Sequence, residues 1–143
     1  MNPLQWDRVI DVSLNGFFNV TQPLMLPMLR TRYGRIVNIS SVAAIAGNRG
    51  QVNYAAAKAA LHGATKALAQ EVASRGVTVN VVAPGIIESP MIQGSFDTGT
   101  IARIVPMRRV GTPQEVAALV GFLVGKDAGY ITGQIISING GMI

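Results

Sequence analysis

Hydrophobic positions along the chain follow two patterns that alternate. Three short stretches are almost continuously apolar, rich in β-branched residues and bounded by glycine or proline, which is typical of buried strands. These stretches are GRIVNIS at 34–40, VTVNVVAP at 77–84 and QIISING at 134–140. The longer stretches between them carry apolar residues at a spacing near 3.6, so they are predicted to be helices.

One predicted helix precedes each strand, and the three helices cover residues 5–30, 52–75 and 112–125. Gly16, Pro23 and Pro27 should bend or divide the first helix. Gly76 is a suitable residue to end the second helix. The third helix opens with TPQE, a capping box with proline at the first helical position.

This alternation of helix and strand predicts an α/β fold. Sequential βαβ units are right-handed and give a parallel sheet with helices on both of its faces. The segments 41–51 and 86–110 are expected to be a loop and an irregular connection. Because the chain has no repeat, low-complexity segment or internal linker, residues 1–143 are predicted to form a single domain, which the length also favours.

The composition is apolar for a globular domain. Hydrophobic residues make up 49% of the chain and charged residues 13%, against a globular norm of about 25% charged. The mean hydropathy is +0.36. So little charge leaves much apolar surface to be covered, which suggests extensive subunit contacts or a missing piece of the same fold.

The sequence also argues against several classes of site. It has no apolar run of roughly 18 residues, the length of a membrane span. Asp7, Arg8 and Asp11 stand where a secretory signal would be apolar. The lack of cysteine excludes disulfides and thiolate metal sites, and the single histidine, His62, disfavours a histidine-built metal site or a Ser-His-Asp triad. No metal is expected, and the cytoplasm is the simplest compartment.

The net charge is +5 and the isoelectric point is about 10.3, so nucleic acid or an acidic partner has to be considered. Most basic residues are scattered, apart from Arg30, Arg32 and Arg35 near one turn and the pair Arg108–Arg109. No basic run is interleaved with aromatic residues. Because clustering is the usual mark of nucleic-acid binding, we expect no nucleic-acid partner.

Tyr54 and Lys58 stand out from an alanine-rich helix, in the sequence YAAAK. Residues four apart share one face of a helix, and by spacing alone the pair is most simply a packed tyrosine beside a solvated lysine. Ser41 follows the first predicted strand, and Pro84–Gly85 follows the second. Ligand sites of open α/β sheets lie outside the carboxyl ends of strands, so these strand ends are expected to line one crevice.

The pattern Ser-x12-Tyr-x3-Lys, followed by NVVAPG and YITGQIISINGG, resembles the short-chain dehydrogenase/reductase family from Trp6 to Gly141. It is most similar to the family's 3-oxoacyl-[acyl-carrier-protein] reductases, on the stretches NYAAAKA and EVASRGVTVNVVAPG. The resemblance implies NAD(P)H-dependent reduction of a carbonyl to an alcohol in fatty-acid-type synthesis. The alternatives are a family enzyme for a sugar, steroid or simple alcohol, and a non-catalytic fragment or partner subunit.

The resemblance implies a role for each residue of this pattern. Tyr54 would give a proton to the carbonyl oxygen as hydride reaches the carbon, and Ser41 would hydrogen-bond that oxygen. A free tyrosine ionises at about pH 10, too high for acid–base work near neutrality. The ammonium group of Lys58 would favour the ionised phenol, and the same group would hold the ribose hydroxyls of the nicotinamide.

A nicotinamide cofactor is implied, because no side chain supplies a hydride. NADP or NAD is expected, with NADPH favoured by the resemblance. The family's P-G-x-I-x-T stretch flanks the nicotinamide, and its matching residues here are Pro84, Gly85, Ile87 and Ser89, with serine in place of threonine.

The chain departs from the family pattern in two places. Ser13 stands where the family usually has an asparagine that stabilises a helix kink, whose freed carbonyl binds a proton-relaying water. Serine can bond back to a carbonyl one turn earlier and bend a helix too. Because Ser41, Tyr54 and Lys58 all remain, reduced but real catalysis is expected; the alternative is that serine at this position is a neutral replacement. The turn G-x-x-x-G-x-G that cradles cofactor phosphates has no match. The chain therefore looks like the C-terminal half of a doubly wound, Rossmann-like domain.

Arg32 and Arg75 match the two arginines with which the carrier-protein reductases contact acyl carrier protein. That carrier is acidic, so basic contacts are expected near the site entrance. Taken singly, each arginine is explained by the dipole at a helix end. A homo-oligomer, in the family mostly a tetramer, is expected to use the two long helices and the last strand.

Overall fold

Three parallel strands form one sheet in the order β1-β2-β3. A computed structural model describes residues 1–90, 92 and 97–143. The strands are β1 (Gly34–Ile39), β2 (Val77–Pro84) and β3 (Ile135–Ile138). The helices are α1 (Pro3–Ile10), α2 (Gly16–Thr31), α3 (Ala43–Ala46), α4 (Val52–Val72), α5 (Thr98–Ile104) and α6 (Pro113–Val124). A π-helical turn covers Asp11–Asn15, and 3₁₀ turns cover Ala73–Arg75 and Lys126–Ala128.

The central strand β2 is buried from Val77 to Ala83, as a strand covered on both faces should be. On one face, α4 and α2 pack against it, with Ala69 and Val79 in the buried cluster. On the other face, Leu123 of α6 packs on Val82. The predicted α/β class, with a parallel sheet and helices on both faces, is confirmed.

The predicted helix over 5–30 is interrupted, but not at its prolines. The interruption is the π-helical turn Asp11–Asn15, and α2 continues through Pro23 and Pro27. Each proline removes one helical hydrogen bond. The carbonyls that lose a donor belong to Asn19 and Pro23, which are exposed, so water can bond to them and the helix is kept.

Two segments that were expected to be irregular contain short helices. The segment 41–51 includes α3, and the segment 86–110 includes α5, whose N-cap Asp97 accepts a hydrogen bond from the backbone three residues later. Helices of four and seven residues contain too few apolar positions for a period of 3.6 to be recognised. Residues 91 and 93–96 of the second segment lie outside the described residues.

The capping box predicted for the third helix is confirmed at the start of α6. Thr112 Oγ1 accepts a hydrogen bond from the N–H of Glu115 at 3.2 Å, and the Glu115 carboxylate accepts one from the N–H of Thr112 at 2.8 Å. Arg109 donates two more bonds to this carboxylate, at 2.6 and 2.9 Å. The hydrogen bonds from Arg109 and then from Thr112 lower the pKa of Glu115 to about 2.

The first two helices present an open apolar surface. Every residue of α1 and α2 is at least partly exposed. The large apolar side chains exposed on these helices include Leu4, Phe18, Val20, Leu24 and Leu26. The apolar excess in the composition therefore lies partly on this surface, and the expected subunit contacts stay a prediction.

Gly76 follows the second long helix with a left-handed backbone, φ 70°. A Cβ atom at this position would overlap the carbonyl oxygen of Arg32. We expect Gly76→Ala to lower the free energy of unfolding by about 2–4 kcal/mol, because left-handed strain and steric overlap add. Denaturant unfolding of the intact protein measures this loss.

Gly63→Ala is the matched control. Gly63 is an exposed residue inside α4, and an added Cβ would meet open space among the described residues. Alanine should therefore raise the free energy of unfolding by about 0.5–1 kcal/mol. Similar losses from both substitutions would contradict the explanation given for Gly76.

Candidate functional site

The first turns of α4 carry Tyr54 and Lys58 close to the sheet. This helix buries one stripe of residues spaced three or four apart, which consists of Ala57, Leu61, Thr65, Ala69 and Val72. Ala57 lies between Tyr54 and Lys58 in the sequence and is completely buried. Because its side chain is a single methyl group, the helix can approach the sheet closely at this point.

Lys58 contacts the carboxyl end of β1. Its Nζ donates a hydrogen bond to the carbonyl oxygen of Ile39 at 2.9 Å and lies 5.9 Å from the centre of the Tyr54 ring. Both side chains are half-buried, and burial lowers the pKa of Lys58. The charge that remains acts through a medium of lower dielectric constant than water, so it affects neighbouring groups more strongly.

Ser41 lies where the ends of the strands come together. The N–H of the next residue, Val42, donates to the carbonyl oxygen of Pro84 at 2.9 Å, and the N–H of Gly85 donates to that of Ile138 at 2.9 Å. The carboxyl ends of all three strands are therefore adjacent, as the order of elements predicts. The Oγ of Ser41 accepts a hydrogen bond from Ala43 N–H at 3.2 Å, which leaves its own proton available to a ligand.

A polar seam joins β1 to α4 beside these residues. Asn38 Nδ2 donates to Thr65 Oγ1 at 2.8 Å. Two residues later on the same face of β1, Ser40 Oγ lies 2.7 Å from His62 Nε2 and 3.1 Å from the carbonyl oxygen of Lys58. Burial, and secondarily the positive charge of Lys66, lower the pKa of His62.

His62 and Ser40 were missed by sequence reasoning, which left His62 without a role. A signal was present, because His62 follows Lys58 by four residues and Tyr54 by eight. Three residues at this spacing share one face of a helix. The sequence alone does not show which of Ser40 and Ser41 faces α4, because that depends on the direction of each side chain at the end of β1.

Ser13 lies at the centre of the π-helical turn Asp11–Asn15, half-buried, and this turn packs against α4. The N–H of Gly16 reaches back to the carbonyl oxygen of Asp11. The bond expected from the serine to a carbonyl one turn earlier is absent from the described part of the chain. The irregular turn therefore forms without that side-chain bond.

The stretch after β2 turns away toward β3. A Cβ added to Gly85 would lie 2.9 Å from the Cα of Asn139, so this position requires close approach of two backbones. Ile87 pairs with Gly111 and lines a cavity of about 360 Å³ that also includes Asn139. Ser89 is half-buried, and the described contacts do not join it to the pair on α4.

Arg32 and Arg75 lie at the opposite end of the sheet. Arg32 caps α2, Arg75 ends the 3₁₀ turn after α4, and each stands two residues before the first paired residue of a strand. β2 then runs for eight residues, about 23 Å, to the strand ends near Ser41. Parallel strands start at one end of a sheet and finish at the other, so one chain does not bring the arginines close to the pair on α4.

The described residues form neither a cluster of metal-ligating side chains nor a helix that could span a membrane. His, Asp and Glu do not gather there in groups of three that could hold a metal ion. Each helix of the described part is too short or too polar to cross a membrane.

Comparison with known proteins connects this arrangement to a family. The family model described as enoyl-(acyl carrier protein) reductase matches residues 1–143. A 3-oxoacyl-[acyl-carrier-protein] reductase FabG from Aggregatibacter actinomycetemcomitans is 51% identical over 138 residues, covering 96% of this chain and 57% of that protein. The chain belongs to the short-chain dehydrogenase/reductase family.

Other relatives of this short-chain dehydrogenase/reductase chain carry different names. Nodulation protein G of Rhizobium sp. (strain N33) is 48% identical over 144 residues, 99% of this chain and 59% of that protein. An acetoacetyl-CoA reductase of Allochromatium vinosum is 48% identical over 144 residues, 99% of this chain and 58% of that protein. The chain thus spans less than two thirds of the length of these relatives.

Lys58 is expected to lose its proton at a lower pH than free lysine. Between its lowered pKa and the usual 10.5, the unfolded chain holds more protons than the folded protein. The free energy of unfolding should therefore rise with pH across that window, and Lys58→Met should remove this part of the rise. NMR titration of the lysine side chains and unfolding at several pH values measure both effects. Titration of Lys58 at or above 10.5 would contradict the expectation.

Proposed function

We propose that the protein containing this chain reduces a carbonyl group to an alcohol with a nicotinamide cofactor, acting on a 3-oxoacyl thioester of acyl carrier protein. The observation that carries this proposal is the half-buried ammonium group of Lys58 beside the Tyr54 ring, at the strand end that leads into Ser41. The names of two relatives, a 3-oxoacyl-[acyl-carrier-protein] reductase and an acetoacetyl-CoA reductase, support a 3-oxo thioester.

Tyr54 and Ser41 act on the oxygen of the substrate carbonyl. Ser41 donates its hydroxyl proton in a hydrogen bond to this oxygen, which orients the carbonyl and favours negative charge on it. The phenol of Tyr54 gives the oxygen a proton, and the positive charge of Lys58 stabilises the phenolate that remains. The product gains one hydride at carbon and one proton at oxygen, a two-electron reduction.

The cofactor is held by residues at the strand ends. When bound, a reduced nicotinamide supplies the hydride. Lys58 fits such a group, because its ammonium has three donors and one of them is used at Ile39. The remaining two donors are available to ribose hydroxyls. The family stretch that flanks the nicotinamide corresponds to Pro84, Gly85, Ile87 and Ser89. NADPH is favoured over NADH by resemblance to the carrier-protein reductases.

Ser13 supports a slower form of this chemistry. In the family pattern an asparagine at this position stabilises a helix kink, and the π-helical turn of this chain lies there. A π-helical turn is frequent at functional sites, because it alters the backbone groups that can bind water. A serine hydroxyl has one proton to donate and an asparagine amide has two, so serine can make fewer hydrogen bonds at this turn.

Carrier binding involves a second copy of the chain. Arg32 and Arg75 supply two positive charges for an acidic carrier, yet they stand about 23 Å of strand away from the Tyr54–Lys58 pair. A homo-oligomer, proposed as a tetramer, would bring the arginines of one copy near the strand ends of another. The open apolar surface of α1 and α2 supports such association.

A non-catalytic role, as a fragment or partner subunit, is the second candidate, and catalysis has to be measured on the complete protein because this chain spans less than two thirds of its relatives' length. The first test is therefore NADPH oxidation by the complete gene product that carries residues 1–143. The assay should offer 3-oxoacyl and enoyl thioesters, each on acyl carrier protein and on coenzyme A. Oxidation with the 3-oxoacyl substrates supports the proposal. Lack of turnover with every substrate would favour the non-catalytic candidate.

Tyr54→Phe should lower kcat for a 3-oxoacyl thioester by about 10²–10⁴-fold, because the proton donor is lost while the ring is kept. Affinity for NADPH should change little. Tyr130→Phe is the matched control, since Tyr130 is fully exposed and precedes the amino end of β3, at the end of the sheet opposite Ser41. Retention of full activity by Tyr54→Phe would remove Tyr54 from the mechanism.

Arg32→Glu combined with Arg75→Glu should raise KM for the carrier-bound substrate by about tenfold or more, because the introduced carboxylates repel the acidic carrier. KM for the same acyl group on coenzyme A should change much less. Arg8→Glu with Arg103→Glu makes the same change in net charge on other exposed residues and serves as the control. Equal losses on both substrates would contradict carrier binding by this pair.

Ser13→Asn should raise kcat by about fivefold, the equivalent of one added hydrogen bond of about 1 kcal/mol. Ser13→Ala should stay within about twofold of the unmodified protein, since the serine hydroxyl makes no bond in the described part of the chain. Steady-state kinetics of the unmodified protein and the two variants measures these changes in kcat. An unchanged kcat in Ser13→Asn would show that position 13 has no part in turnover.

A further inference from the structure

Ser40 and His62 form a buried polar contact next to the proposed catalytic residues. Ser40 is 4% exposed, and its Oγ lies 2.7 Å from His62 Nε2 and 3.1 Å from the carbonyl oxygen of Lys58. Along the chain, Ser40 stands between Ile39, which holds the Lys58 ammonium, and Ser41. The Ser40 side chain therefore contacts the turn of α4 that carries Lys58, and its backbone leads directly into Ser41.

The two contacts of Ser40 determine which nitrogen of His62 carries its proton. A serine hydroxyl has one proton to donate and can accept other hydrogen bonds. When this proton goes to the carbonyl oxygen of Lys58, His62 Nε2 must donate to Ser40 Oγ. His62 is then neutral with its proton on Nε2, which agrees with burial and the Lys66 charge lowering its pKa.

We infer that His62 is a positioning residue of the proposed reductase, which acts through Ser40 to hold Ser41 and the Lys58 turn in one fixed relation. This inference rests on the proposed function. The chain of bonds runs from the His62 ring to Ser40 and from Ser40 to the backbone of Lys58. These buried hydrogen bonds fix the carboxyl end of β1 against α4, next to Tyr54 and Lys58.

Removal of either Ser40 or His62 alone should displace Ser41 and the Lys58 turn more than removal of both. Without His62, the buried Ser40 oxygen loses the N–H donor at its second contact and keeps only its bond to the carbonyl oxygen of Lys58. The side chain must then reorient or admit water, and Ser41 is the next residue along the backbone. Without Ser40, the ring nitrogen of His62 is left without its partner. Replacement of both by apolar side chains leaves no orphaned polar group, and such double replacements are often nearly neutral.

The test is a double-mutant cycle in the complete gene product, with Ser40→Ala, His62→Leu and the combination. Each single substitution should lower kcat for a 3-oxoacyl thioester by about tenfold, because small displacements of catalytic groups are costly. KM for NADPH should change by a smaller factor than kcat, because Lys58 keeps its bond to the carbonyl oxygen of Ile39. The double variant should return to within about threefold of the unmodified kcat. The inference would be overturned if the double variant lost kcat by the product of the two single fold losses. It would also be overturned if both single variants kept the unmodified kcat.

Two controls separate positioning from general stability. His62→Gln can donate from an amide at a similar reach and should keep kcat within about threefold. Thr65→Val breaks the neighbouring bond of the seam and should lower the unfolding midpoint without lowering kcat where the protein is fully folded. A loss of kcat in Thr65→Val equal to that in His62→Leu would reduce His62 to a merely structural residue.

A nitrogen NMR spectrum of the His62 ring gives a readout that does not depend on activity. The proton should be found on Nε2, and Ser40→Ala should shift the Nε2 resonance. A proton on Nδ1 in the unmodified protein would overturn the inference. Absence of reductase activity in the unmodified protein would contradict the proposed function instead, and the spectrum would still decide whether the Ser40–His62 bond exists.

Discussion

The contacts between β1 and α4 determine where the residues of the candidate site lie. The buried stripe of α4 includes the small residues Ala57 and Ala69, which by themselves fix the position of the helix along the sheet only weakly. The polar pairs Asn38–Thr65 and Ser40–His62 remove this freedom. A shift of one turn would leave buried polar groups without partners, at about 1–3 kcal/mol for each group. The seam therefore selects one placement of Lys58 against the end of β1.

The parallel sheet divides the chain into two ends with different chemistry. Hydroxyl, phenol and ammonium groups gather at the carboxyl ends of the strands. The arginines that follow α2 and α4 gather at the amino ends, because each helix must return there before the next strand begins. A partner that needed both ends would have to meet more than one copy of the chain, and the apolar surface of α1 and α2 is suited to such contact.

Regular elements with a strong pattern could be predicted, and irregular ones could not. The three strands and α6 follow from β-branched runs, glycine and proline boundaries and a capping box. The π-helical turn was indicated only by Gly16, which follows it, and by the family resemblance at Ser13, and neither predicts its backbone hydrogen bonds. Short α3 and α5 lack a full apolar period. His62 lay on the same helical face as Tyr54 and Lys58, but its partner Ser40 could be identified only after the strand was placed.

The amino-acid sequence by itself determined the α/β class, the parallel order of elements and the pairing of Tyr54 with Lys58 on one helix face. These properties depend on local spacing, which is set by backbone geometry. Tertiary structure decided the anchor of Lys58 on Ile39, the contact of His62 with Ser40 and the separation of the arginines from the strand ends. The first two relations join residues that are 19 and 22 positions apart, and packing and hydrogen bonding between whole elements fix them.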